Sequence, residues 1–322
     1  MEFTPVYQWA RRWSRVGVIT TILVLIGLRL TLAEINLTTQ LAIALVGLLV
    51  GIPHGAIDHL ISIPSHPRSK FAAYIVAYIA IAVLAGWAIA TWNVIGFQVV
   101  VVMSALHFGY GDAAYINEGH DCADQHRNSF PLESLYAIPA GFLPVVLPLT
   151  DHRTLSALNR INPTLDHWAG SHANLLRTAT LLIGVVAAAT FVILRKYSLA
   201  IDLGLLATLS LLAPPLIAFA TYFGFWHAIR HTARLVPKLP KAVGLASAGR
   251  WQSAIVAAVI PGLYAIGGTL VIAIILMLRS PGKFSSSLLW STLVIIWALT
   301  VPHMATTAKF DFRALGPKNH AQ

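Results

Sequence analysis

The chain has 322 residues, of which 57% are hydrophobic and 11% charged, whereas a soluble domain carries about 25% charged residues. A mean hydropathy of +0.72 excludes a water-soluble globule, and the single cysteine, Cys122, excludes a disulfide framework or a CxxC metal site. The net charge of +10 comes with no Lys/Arg block or basic aromatic patch for nucleic acid, so it fits loops held against an anionic lipid bilayer.

Apolar stretches of near-spanning length fall at 16–34, 40–62, 70–91, 94–115, 131–150, 175–194, 199–213, 215–235, 252–278 and 286–307. The first follows a basic start but is too long for a signal-peptide core, carries Arg29 and meets no small-residue cleavage site, so it reads as a retained helix. No strand alternation, heptad or internal repeat competes. Pro214-Pro215 either kinks one helix or separates two. The prediction is an all-α polytopic integral membrane bundle of about nine or ten transmembrane helices, forming a single transmembrane domain over 1–322. With ten helices and a cytoplasmic N-terminus, 16 Lys/Arg residues fall on the cytoplasmic side and 5 opposite, with Arg29 inside the first helix. That bias follows the positive-inside rule and predicts a multi-pass protein of the prokaryotic cell membrane.

Thirteen histidines are present, and six lie in or at the ends of spans: His54 and His59 in GIPHGAIDHL, His107 in SALHFGYGD, His227 and His231 in FGFWHAIRH, and His303 in TVPHM. Ionisable residues at membrane depth usually face the bundle interior and mark function. The i, i+4 spacing of His227 and His231 puts both rings on one helix face, about 5–6 Å apart at Cβ, which suits two ligands of one metal; a helix-end pair beside Arg230 and Arg234 is the plainer reading. In the ten-helix arrangement His54, His107, His227 and His303 share one layer, which argues for a common centre. Imidazole suits iron, zinc or copper, and a neutral all-histidine set favours the reduced Fe(II) state. Asp58, at i+4 from His54, and Asp112, five residues after His107, are either acceptors that fix a ligand's tautomer or polar helix caps. Glycines allow close helix approach, and Tyr110, Tyr222, Phe225 and Trp226 are candidate walls of an apolar tunnel. So few polar groups converge there that a lipid-borne substrate is expected.

The segments PHGAIDH (53–59), HFGYGD (107–112) and WHAIRH (226–231), in this order on membrane helices, resemble the Brp/Blh family of β-carotene 15,15′-dioxygenases. The resemblance covers about residues 40–310, with 1–38 as an additional N-terminal helix ahead of that core. It implies a Fe(II) cofactor held by four histidines, here His54, His107, His227 and His231. It also implies cleavage of the central double bond of β-carotene by O₂ into two molecules of all-trans-retinal. Family members are often associated with retinal-dependent rhodopsins, so an opsin is a candidate recipient of the product. His303 and His59 match recurrent family positions and rank as second-tier or structural; His59 lies about 140° around a continuous helix from His54. Two alternatives are weaker. Another membrane histidine-iron oxygenase acting on carotenoid or lipid should carry more histidine boxes. A non-enzymatic metal or proton transporter should carry acidic residues within its spans.

Overall fold

A computed structural model describes residues 3–31, 35–62, 67–122, 130–279 and 284–315. Among them there is no strand, and eight helices are long and apolar enough to cross a membrane. α1 (Thr4–Leu30) begins a dozen residues earlier than the apolar run alone predicts, with Pro5 in its first turn where a missing N–H costs nothing. α2 (Leu37–Gly55) is capped by Asn36, whose side chain accepts from the Thr39 amide at 2.9 Å. The stretch expected as one helix over 40–62 instead ends at Gly55. Two turn residues separate it from the short α3 (Asp58–Ser62).

α4 (Arg68–Thr91) follows Pro67, and α5 (Asn93–Cys122) runs 30 residues, about 45 Å at 1.5 Å per residue and longer than a bilayer core. α6 (Phe130–Leu149) carries three internal prolines. The polar connection over 151–174 is structured as α7 (His152–Ile161) and two 3-10 turns before α8 (Ala173–Ile193). α9 (Tyr197–Leu212) then meets the double proline, and Ala213 turns extended. Pro214-Pro215 therefore separates two helices, and a new one, α10 (Pro215–Ala220), starts there. It runs into a π-helical segment, Thr221–His227, and then α11 (Ala228–Leu235). Of the rest, α12 (Pro240–Ser247) is short. A 3-10 turn at Ile260–Gly262 divides α13 (Trp251–Val259) from α14 (Leu263–Arg279), and α15 (Phe284–Leu315) carries Pro302 inside it.

The outer faces bear large exposed hydrophobics such as Val76, Leu84, Leu182, Val185, Ile193 and Leu278, the surface a bilayer would solvate. Inside, α5 and α6 cross closely. A Cβ at Gly109 would strike the carbonyl of Ala137, and one at Gly141 would strike that of Ala105. Glycine is needed where backbones touch. Gly109→Ala or Gly141→Ala should lower the thermal midpoint in detergent by the equivalent of about 1–3 kcal/mol, the usual cost of overpacking. An unchanged midpoint on heated size-exclusion traces would show that the crossing is loose. α5 also packs on α15, α2 lies against α10 and the π segment, and α1 covers the π segment, α9 and α11. These neighbours bring the histidine motifs to one place.

Candidate functional site

Five buried imidazoles meet within the bundle: His54 from the last turn of α2, His107 from α5, His227 from the end of the π segment, His231 from α11 and His303 from α15. The His54 ring centroid lies 5.2 Å from His227, 5.0 Å from His231 and 5.6 Å from His303. His107 lies 5.2 Å from His227 and 5.1 Å from His303. His227 and His231 are 5.8 Å apart, and His231 and His303 are 6.0 Å apart. Pro53 and Pro302 immediately precede two of these rings, and each removes a ladder hydrogen bond beside its histidine. The π segment supplies His227, and such wide turns recur at functional sites. Phe108 packs 4.5 Å from His227, and Phe223 stacks on it at 17°.

The second ring nitrogens fix three tautomers. His303 Nδ1 donates to Asp58 Oδ2 at 2.8 Å, and the Tyr78 hydroxyl donates to the same oxygen at 3.3 Å. His54 Nδ1 faces the Gly51 carbonyl, which can only accept. His107 Nδ1 meets Thr307 Oγ1 at 3.2 Å, and that hydroxyl donates onward to the His303 carbonyl at 3.0 Å, so the ring nitrogen is the donor. Nε2 of all three is thereby left as a lone pair. Buried and unpartnered are His107 Nε2, His227 Nε2, His231 Nδ1 and His303 Nε2, an unusual number of orphaned nitrogens for one interior.

As the rings stand, no group of three or more His, Cys, Asp or Glu among the described residues forms a ready-made metal site. The donors nonetheless fit a first-row metal. A metal–nitrogen bond of about 2.0–2.1 Å puts ring centroids about 5 Å apart at a tetrahedral angle, and the closest separations are 5.0–5.2 Å. Rotation of the rings about their existing positions is the adjustment that binding would require.

The predicted tautomer-fixing pairs form differently. Asp58 serves His303 and not His54, because α2 ends at Gly55 and the i+4 register does not carry into α3. Asp112 turns away from His107, accepting from Trp226 Nε1 at 2.6 Å with Arg230 at 3.9 Å. His107 is served instead by Thr307, with Asp311 at 4.0 Å. The segment after His303 thus supplies polar partners through Thr307 and Asp311. His59 belongs to α3, its side chain lying outside the described residues; the break before α3 means that His54 and His59 do not share one continuous helix.

Arg230 and Arg234 do not sit at a wet helix end. Arg230 is 1% exposed and pairs with Asp202 at 2.9 Å, while its guanidinium lies 3.6 Å over the Trp226 ring. Asp202 also binds Arg15 of α1 at 2.7 Å. Arg234 is fully buried between Glu118 at 2.9 Å and Asp311 at 2.5 Å. Acidic residues do lie among the buried helices, but each of Asp58, Asp112, Asp202 and Asp311 is tied to a named partner.

An apolar cavity of about 310 Å³ reaches the cluster between α2, α4 and α15. His54, His107 and His303 form part of its wall with Phe108, Phe223 and Tyr78, whereas His227 and His231 stand outside it. None of the four aromatics predicted as tunnel walls lines it. Tyr110 reaches Ser134 at 3.4 Å, and Tyr222 and Trp226 are buried in the packing behind His227. Phe225 is 42% exposed and abuts Gly17 of α1. In the π segment Phe223 takes the inward position that the sequence assigned to its neighbours.

Fold and site together define a polytopic helical membrane protein with a buried histidine centre opening on an apolar cavity. Residues 45–311 match the family model for β-carotene 15,15′-dioxygenase, so the chain belongs to that family and with it to the carotenoid-cleaving dioxygenases. It is 28% identical over 290 residues to the probable β-carotene 15,15′-dioxygenase Blh of Halobacterium salinarum, covering 81% of each chain. It is 29% identical over 276 residues to the β-carotene 15,15′-dioxygenase of uncultured marine bacterium 66A03, covering 82% of this chain and 90% of that one. No solved structure matches.

Proposed function

We propose that this chain cleaves the central 15,15′ double bond of β-carotene with O₂, giving two molecules of all-trans-retinal, at an Fe(II) ion held by His54, His107, His227 and His231. The observation that carries this reading is the meeting of buried, unpartnered imidazole nitrogens at the wall of an apolar cavity, in a chain of this family. Bound iron would supply the means of activating O₂. The chain's own residues do the rest. Asp58, Thr307 and the Gly51 carbonyl hold Nδ1–H groups and so aim Nε2 lone pairs inward. Phe108 and Phe223 keep water from the rings and give the polyene an apolar wall. Placement of the polyene along that wall decides which double bond meets the centre, a positioning effect. The cavity is at the small end of ligand pockets, so a C40 carotenoid enters with α4 and α15 parting, from the lipid in which it dissolves. We place the protein in the prokaryotic cell membrane with its N-terminus in the cytoplasm, on the charge bias, and an opsin is the natural acceptor of the product.

Expression in cells that accumulate β-carotene tests this reading. The expected result is loss of orange colour with two retinals appearing per carotene consumed, by chromatography of the extracted pigments. Unchanged carotene with the protein inserted and iron supplied would sink it, and apocarotenals of unequal length would refute the central bond.

A further inference from the structure

We propose that His303 is a fifth ligand of the metal ion proposed above, with Asp58 as the carboxylate that holds its ring. The inference rests on that reading of the site and adds a residue to it. The His303 ring lies within the cluster, 5.1 Å from His107 and 5.6 Å from His54. Its Nδ1–H is committed to Asp58 at 2.8 Å, and its Nε2 is buried without a partner. A buried ring nitrogen without a partner calls for an explanation, and four of them in one cluster, His303 Nε2 included, are explained by a shared ion.

Ligating histidines almost always give their other N–H to a carboxylate, carbonyl or water. Of the five rings, His303 alone has a carboxylate at hydrogen-bond distance among the described residues, the nearest rival being His107 and Asp311 at 4.0 Å. Asp58 is itself held by the Tyr78 hydroxyl at 3.3 Å, from α4. Its charge would offset that of an ion which neutral imidazoles leave uncompensated. His303 also shares the cavity wall with His54 and His107, so the ion would meet the cavity through these three and be closed from behind by His227 and His231.

The test uses the purified full chain in detergent, without oxygen, titrated with Co(II) against a chelator while its visible absorption is recorded. His303→Ala is expected to weaken Co(II) binding by more than ~100-fold and to change the absorption bands, with added imidazole restoring them. Asp58→Asn is expected to weaken binding by about 10–100-fold, the usual effect of losing a ligand's carboxylate partner, with the bands kept. Wild-type affinity and spectrum in His303→Ala would overturn the inference and leave the four-histidine reading standing. Should His303→Ala not fold, Asp58→Asn decides alone, and unchanged affinity overturns the inference. A wild-type chain that takes up no Co(II) would bring down both.

Discussion

Replacing His227 by alanine should abolish retinal formation, with a rate at least ~100-fold below the unaltered chain, since even changes behind a metal ligand cost 10–100-fold. His227 lies within 5.2 Å of both His54 and His107 and within 5.8 Å of His231. Its backbone closes the π segment, so no neighbouring residue of α10 or α11 is placed to substitute for it. Phe108 and Phe223 flank it, and the smaller side chain would leave a gap that they can only partly fill. Pigment analysis of expressing cells measures the effect. His152→Ala and His167→Ala are the matched controls: both side chains are more than four-fifths exposed, and both variants should keep the full rate. Equal rates in His227→Ala and the controls would remove His227 from the reaction.

The second large effect is on folding. Arg234→Met should prevent recovery of monodisperse protein from the membrane, because it leaves Glu118 and Asp311 facing each other without their cation. Breaking a buried pair by removing one partner costs about 3–5 kcal/mol, a large part of a typical total stability. Arg234→Lys should recover little. A guanidinium presents a planar fork to two carboxylates at once, whereas an ammonium is a single point on a flexible stem. Arg68→Ala, on an exposed residue at the start of α4, should change the detergent melting point by no more than the usual surface substitution. A normal yield and melting point for Arg234→Met would show that the two acids are protonated or hydrated and that the pairing does not hold the bundle together.

The histidines were legible in the sequence because a charged or polar ring at membrane depth is rare, and because the directions of the helices place four of them in one layer. Eight of the ten apolar stretches contain helices long and apolar enough to span, whereas 199–213 is the shorter α9 and 215–235 divides into α10, the π segment and α11. Nine or ten spans thus become eight among the described residues, and the double proline marked a true break. What surrounds the rings was less legible. The partner of His303 is Asp58, 245 positions away, and no local spacing rule connects them. The i+4 rule that joined Asp58 to His54 assumes a continuous helix, and the chain stops being one at Gly55. Arg230 and Arg234 look like a basic helix end when their acids, Asp202, Glu118 and Asp311, are spread over three other helices. The cavity wall is formed by Phe108 and, from Thr221–His227, Phe223, neighbours in sequence of the aromatics expected there, and adjacency to a histidine in the chain does not say which ring faces the cavity.

That last segment makes chain length itself part of the chemistry. A π turn holds one residue more than the α turn it replaces, so Thr221–His227 behaves as a fixed insertion within an otherwise continuous rod. Deleting any one residue between 221 and 226 would leave the downstream WHAIRH letters nearly intact and hydropathy unchanged. Because the residue lost is the extra one, the segment would close to an α turn with His231 kept on its present face, and the change would fall on which aromatic of the segment points inward. A gap of one position in this stretch, when relatives are laid side by side, therefore signals a π turn closed to α and a re-shaped aromatic wall, with the histidine pair still in register.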